Sequence, residues 1–230
     1  MLKNNYTKLW PAMPVISKIA MITFVVGLAL WIPNQSMSQN KPMRAANIES
    51  LKLQVKELAQ KTMTINSDFT QEKEMSMITE KIISRGKFYF KKEKMLRWEY
   101  IQPFSYTIII NNDKISILDE NKVSHFNVKS NKIYLEINRI ILGSIQGTLL
   151  NDDKNFKSYF LENHESFVVM LKPLAPKLKE TLTEIVIYFN RGDYAVDRVD
   201  MFETGGDCTR INFTKKKLNQ PIADEKFVVR

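Results

Sequence analysis

Cysteine and histidine are nearly missing: the 230 residues include one Cys, Cys208, and two His, His125 and His164. A single Cys excludes an intramolecular disulfide and a cysteine-rich zinc site. Two isolated His leave little for a metal centre or a His-based catalytic pair. Glycine and proline are scarce, at 7 and 8, which excludes collagen-like and low-complexity chains. No Gly-rich phosphate loop, Gly-x-Ser-x-Gly elbow or His-Glu-x-x-His pair occurs. The acidic pairs Asp119-Glu120 and Asp152-Asp153 fall in loop-like stretches, where carboxylates are ordinarily just solvated. Cys208 follows the turn-like Gly205-Gly206-Asp207, and no basic partner marks it as a reactive thiol. The chain reads as a binding protein rather than an enzyme, with no cofactor and no metal.

Acid is absent from the first 48 residues, Glu49 being the first. Lys3, Lys8 and Lys18 precede an apolar stretch from Ile19 to Ile32, Pro33 ends it, and the polar Asn34-Gln35-Ser36-Met37-Ser38 follows. A basic region, a short apolar region and a Ser-x-Ser site have the order of a secretory signal peptide. The expectation is a signal peptide over 1–38, cleaved after Ser38 to leave Gln39 first, then a linker over 39–46. At about 1.5 Å per residue this stretch is short for a ~30 Å hydrocarbon core, which weighs against a retained anchor. No Cys lies near the site, so it is not a lipoprotein signal. Cleavage removes three Lys and no acid, so the formal +9 becomes +6. An exported protein of that charge is not expected to meet nucleic acid. Lys91-Lys92 and Lys215-Lys216-Lys217 read as solvated faces.

Past the linker, Ile48, Leu51, Val55 and Leu58 recur at helical spacing, giving a helix from about Asn47 to Lys61 with Asn47 as its N-cap. The texture then turns to short β-rich runs: Thr64–Glu74, Ile82–Lys91, Met95–Ile101, Tyr106–Ile110, Lys114–Asp119 and Lys122–Val128. Turn residues such as Asn111-Asn112-Asp113 separate them. From Lys132 to Lys154 the helical period returns in Ile133, Ile137, Ile140 and Ile141. Gly143 interrupts it, and Ile145, Leu149 and Leu150 suggest a second short helix. Strands resume at Phe156–Glu162, Phe167–Lys172, Leu182–Asn190, Ala195–Glu203, Thr209–Leu218 and Phe227–Val229. Arg191-Gly192-Asp193 lies between two of these runs and reads as a hairpin turn. A sheet this large curves, and helices on its concave face would bury both apolar stripes.

Alternation places Phe88, Phe90 and Lys92 on one face of a strand, and Leu96, Trp98 and Tyr100 on one face of the next. Such a face is either ordinary core or the wall of an apolar cavity with a polar group at its mouth. Asp68-Phe69-Thr70-Gln71, Gly86-x-Phe88-x-Phe90 and Leu96-Arg97-Trp98-Glu99-Tyr100-x-x-Pro103 stand in order. A turn at Asn111-Asn112 and the helical segment 132–154 follow. This ordered set resembles the LolA family of periplasmic outer-membrane lipoprotein carriers, from about Asn47 onward and most densely over Phe69–Pro103.

The resemblance implies an α+β, mainly β fold, an unclosed antiparallel β-barrel with a helical lid over a hydrophobic cavity. Acyl chains would contact Phe88, Phe90, Leu96, Trp98 and Tyr100 on the sheet and Ile137 and Ile141 on the lid. The family carries an Arg followed by Pro in the strand after the Gly, and the matching positions here are Lys92 and Glu93. Lys is a point charge where Arg is a planar fork. The implied function is a monomeric periplasmic shuttle that takes lipoproteins from an inner-membrane extraction complex to an outer-membrane acceptor. Alternatives are a carrier of a free glycolipid or a polyene or fatty acyl ester, or a lipid-sensing regulator of envelope stress.

Overall fold

The computed structural model describes residues 40–77, 80–92, 95–112, 114–119, 122–127 and 132–228, with the backbone alone at 126, 127 and 132–138. The expected signal peptide and its cleavage after Ser38 lie outside these residues, as do Glu93, Val128 and Val229. A two-residue strand, β1 (Lys41–Pro42), precedes helix α1 (Ala45–Lys61). A meander follows: β2 (Thr64–Glu74), β3 (Lys81–Lys91), β4 (Met95–Gln102), β5 (Tyr106–Asn111), β6 (Lys114–Asp119) and β7 (Lys122–Asn127). Helix α2 (Lys132–Ile145) and a 3-10 turn (Thr148–Asn151) come next. A second meander is β8 (Phe156–Glu162), β9 (Ser166–Pro173), β10 (Leu182–Asn190), β11 (Val196–Glu203) and β12 (Cys208–Leu218), with the short helix α3 (Pro176–Lys179) after β9.

All these strands join one antiparallel sheet in the order β1-β8-β9-β10-β11-β12-β2-β3-β4-β5-β6-β7. The β12–β2 pairing, with Phe213 opposite Phe69, welds the two meanders. β1 and β7 are the two ends, so the sheet is not closed into a barrel. Period-2 alternation gives the sheet two unlike faces. The inner face carries Ile65, Phe69, Phe88, Trp98, Ile187, Val199 and Ile211 into one apolar core, which also takes Leu51 and Val55 of α1 and Ile140 and Ile141 of α2. The outer face is mostly polar. One part of it is covered by the C-terminal segment, where Phe227 packs on Tyr89 and Ile109.

Several boundaries depart from expectation for tertiary reasons. Helix α1 begins at Ala45, inside the segment read as linker, with Arg44 as N-cap and Asn47 already in its first turn. Buried Met43 is the cause: its N–H bonds the Phe160 carbonyl of β8 at 3.0 Å, so docking rather than a side-chain cap sets the helix entry. Gly143 does not interrupt α2. A Cβ there would stand 2.8 Å from Leu149 Cγ, so the glycine admits the following 3-10 turn against the helix. Phe227 ends a 3-10 turn (Asp224–Phe227) and not a strand, because its ring is buried on the outer face. Asn112 adopts φ 54° in the β5–β6 turn, the left-handed conformation its type tolerates.

A candidate apolar ligand site

The first half of the inner face is built from rings. Phe69 meets Trp98 and Tyr100 edge-on, at centroid distances of 4.9 and 5.0 Å. Phe88 lies 4.6 Å from Trp98 and 5.4 Å from Phe213. Edge-to-face pairs such as Phe69–Trp98, Phe69–Tyr100 and Phe88–Phe213 each contribute about 0.5–1.5 kcal/mol beyond area burial. Gly86 makes the arrangement possible, since a Cβ there would fall 2.8 Å from the Phe69 ring and closer still to the Glu99 carbonyl. Tyr100 stacks on Tyr106 and donates to Gln71 Oε1 at 2.9 Å, which satisfies its hydroxyl. The expected site residues Phe88, Phe90, Leu96, Trp98 and Tyr100 are thus brought together on one wall, all buried. Ile141 of α2 is fully buried against the same core. The Ile137 side chain lies outside the described part of α2.

Helix α1 enters the same core through Leu51 and Val55 and is gripped at its C-terminal end. Lys92 Nζ donates to the Gln60 carbonyl at 3.1 Å, and Asn219 Nδ2 to the Lys61 carbonyl at 3.1 Å. Asn219 Oδ1 accepts from the Met63 N–H at 2.7 Å, and the Lys92 N–H donates to the Met63 carbonyl at 2.8 Å. A cation and two amide groups therefore satisfy the carbonyl-rich helix end, where positive charge is favourable. Lys92 stands at this end of the helix and not inside the core. Helix α1 also touches the exit of α2. Gly147 sits at φ 67°, and a Cβ on it would lie 2.5 Å from Val55 Cγ1.

Where the end of α1 and the end of α2 meet the sheet, packing leaves a cavity of about 30 Å³. Its walls are Leu58 of α1, Ile145 of α2, Phe88, Phe213, Ile65 and Val196, with Ser67, Thr62 and Lys216 as polar members. That volume is far below the ~300–1,000 Å³ of a ligand-filled pocket, so at this place side chains fill most of the space. Sequence reasoning missed Leu58, Ile145, Val196, Phe213, Ser67 and Lys216 as site residues. One signal was present: in Ile65-x-Ser67-x-Phe69 a hydroxyl occupies the apolar phase of β2. Lys216 was hidden by a bulge. The register shifts between Thr214 and Lys217, Lys215 takes φ 51°, and the phase change turns Lys216 toward the inner face.

The charged groups are mostly engaged. Lys91 pairs with Asp224, Lys215 with Asp68 at 3.0 Å, and Lys216 with Asp197. Hydrogen bonding from Arg210, then Lys81, holds the Glu74 carboxyl at about 2, and Lys215 holds Asp68 below its usual range. Burial pushes the Cys208 thiol up, away from the reactive thiolate. Arg191-Gly192-Asp193 forms the β10–β11 turn, with Arg191 donating to the Asn163 carbonyl at 2.7 Å and Asp193 Oδ1 accepting from the Ala195 N–H. Among the described residues no three His, Cys, Asp or Glu side chains group as a metal site. No described helix is long and apolar enough to cross a membrane.

One open antiparallel sheet with two helices packed on its inner face is the architecture on which this site is built. The family described as outer membrane lipoprotein carrier protein LolA matches residues 60–230, and the chain belongs to that family. An uncharacterized conserved protein from Thermus thermophilus superposes with a TM-score of 0.50 at 8% identity, over 79% of this chain and 92% of that one. A LolA superfamily protein from Nitrosomonas europaea gives 0.41 at 9% identity, over 79% and 97%. Mycobacterium tuberculosis lipoprotein LppX gives 0.43 at 8% identity, over 78% and 99%. No curated protein matches the chain in sequence.

Proposed function

We propose that this protein is an exported, periplasmic carrier of acylated lipoproteins, working by binding and release without covalent chemistry. The observation that carries the reading is the cover of the inner face. Aromatic and aliphatic side chains of one open sheet are sheltered by Leu51, Val55, Ile140 and Ile141 of two helices, and not by a second sheet. Acyl chains would replace those helical side chains against Phe88, Trp98 and Phe213. Each CH₂ withdrawn from water contributes about 0.8 kcal/mol, so a lipid with several long chains is nearly insoluble without such a shelter. Release requires that the helices return, and a core they already fill favours that return. The donor would be an inner-membrane extraction complex and the acceptor an outer-membrane receptor.

The test is to purify the protein from its host's periplasm without detergent and identify what is bound by mass spectrometry. Acylated lipoproteins are the expected finding. A free glycolipid or an acyl ester alone would keep the carrier and change the cargo. An empty protein that also fails to take up added acyl ligands would overturn the reading.

A further inference from the structure

We propose that Ser67 is the polar subsite of this cavity, its hydroxyl donating a hydrogen bond to the carbonyl oxygen of an acyl ester or acyl amide. The inference rests on the carrier reading and adds to it the group by which the acyl chain is oriented. Ser67 is 1% exposed and lines the cavity, and its Oγ has no hydrogen-bond partner among the described residues. A buried hydroxyl without a partner is unfavourable, and few native groups are left so. Alanine at the same place would leave nothing unsatisfied.

The other polar groups of the wall are already engaged. The Thr62 hydroxyl donates to the Leu58 carbonyl at 2.7 Å. Lys216 Nζ donates to the Val196 carbonyl at 3.3 Å and pairs with Asp197, which neutralises it. What faces the apolar walls of Leu58, Ile145, Phe88 and Phe213 is therefore one uncharged donor. That chemistry suits a carbonyl and not a phosphate or carboxylate, which would need an uncompensated cation. The cavity, at about 30 Å³, has room for a carbonyl group. The attached chain needs the ends of α1 and α2 to part from the sheet. The linkage is common to the acyl groups of lipoproteins and of free lipids, so Ser67 reads the bond by which the chain is attached.

The experiment compares the full-length protein, stripped of bound lipid, with Ser67→Ala. Two probes share chain length and headgroup: 1-monopalmitoyl glycerol, which has the carbonyl, and 1-O-hexadecyl glycerol, which has a methylene in its place. Affinities come from displacement of a fluorescent apolar dye, and thermal melting monitors the fold. The wild type is expected to prefer the ester by about two- to tenfold, the range of one net hydrogen bond. Ser67→Ala should bind both probes at the affinity of the ether and, when empty, melt higher than the wild type. A wild type that binds both probes equally, or a Ser67→Ala that keeps the preference, would overturn the subsite and leave the carrier intact. A wild type that binds neither probe would overturn both. A triacylated lipopeptide in the same displacement assay separates the sources. Ser67-dependent binding tighter than that of the monoglyceride supports a lipoprotein acyl group, and the reverse order supports a free lipid.

Discussion

The two halves of the inner face are packed by different means. On β9, β10 and β11 the residues Val169, Leu171, Ile185, Ile187 and Val199 interlock with 0% exposure. On β4 and β12 the rings of Trp98 and Phe213 keep 6%, and they meet Phe69, Phe88 and each other edge-on or tilted. Branched aliphatic side chains fill space in three dimensions, whereas flat rings touch along edges and leave gaps when one tilts. The cavity lies where the two kinds of packing meet, with Phe88 and Phe213 on one side and Ala195 and Val196 on the other. On the carrier reading proposed above, the aliphatic half would serve as a stiff spine and the aromatic half would yield to a guest.

The contrast can be broken by mutation. Trp98→Ala should cost about 3–5 kcal/mol in denaturant unfolding, as large buried aromatics do. Ile187→Val, on the spine, should cost only about 0.5–1.5 kcal/mol. Per heavy atom removed Trp98→Ala should therefore cost less than Ile187→Val, and equal costs per atom would mean that the two halves are not packed differently. Gly86→Ala should come next, at about 1–3 kcal/mol, because its methyl meets the Phe69 ring and the Glu99 carbonyl. Gly205→Ala, with nothing within 4 Å of the added carbon, should be near neutral.

Smaller effects sharpen the boundary between inner core and outer charge pairs. The Glu74 carboxyl is held at about 2 against an ordinary 4.5 by Arg210 and Lys81. Its folded value lies below its unfolded one, so its contribution is full above about pH 4.5 and is lost as pH falls toward 2. Melting temperature should fall over that window, and Glu74→Gln should flatten the fall. Steepness unchanged by that substitution would assign the acid sensitivity to other carboxylates such as Asp68. Lys92→Ala should be mild, at about 0.3–1 kcal/mol, the usual value of a cation at a helix C-terminus. Lys92→Arg should restore the loss, since the Gln60 carbonyl needs a donor and not a particular fork.

Much of this was legible in the chain. Thr64–Glu74, Lys114–Asp119, Phe156–Glu162 and Leu182–Asn190 could be read to the residue, because period-2 alternation bounded by turn residues is a local signal. The aromatic wall was legible for the same reason, since Phe88, Phe90, Leu96, Trp98 and Tyr100 lie on adjacent strands. The start of α1 was not, because Met43 docking on β8 decides it. Nor was the cavity, which draws on α1, α2, β2, β11 and β12. Ser67 and Lys216 approach only through the β12–β2 pairing, and a bulge that no periodicity announces turns Lys216 inward.

The free ends of the sheet have a mechanical meaning. In a closed barrel the strand number and stagger fix the diameter, so the bore cannot change without breaking ladder hydrogen bonds. With β1 and β7 unjoined, no such closure condition applies. Curvature becomes a soft variable, adjusted by small changes of twist along twelve strands while every rung between neighbours stays made. The capacity of the concavity is then set by whatever lies against it, helix side chains or guest, and not by the hydrogen-bond count of its wall.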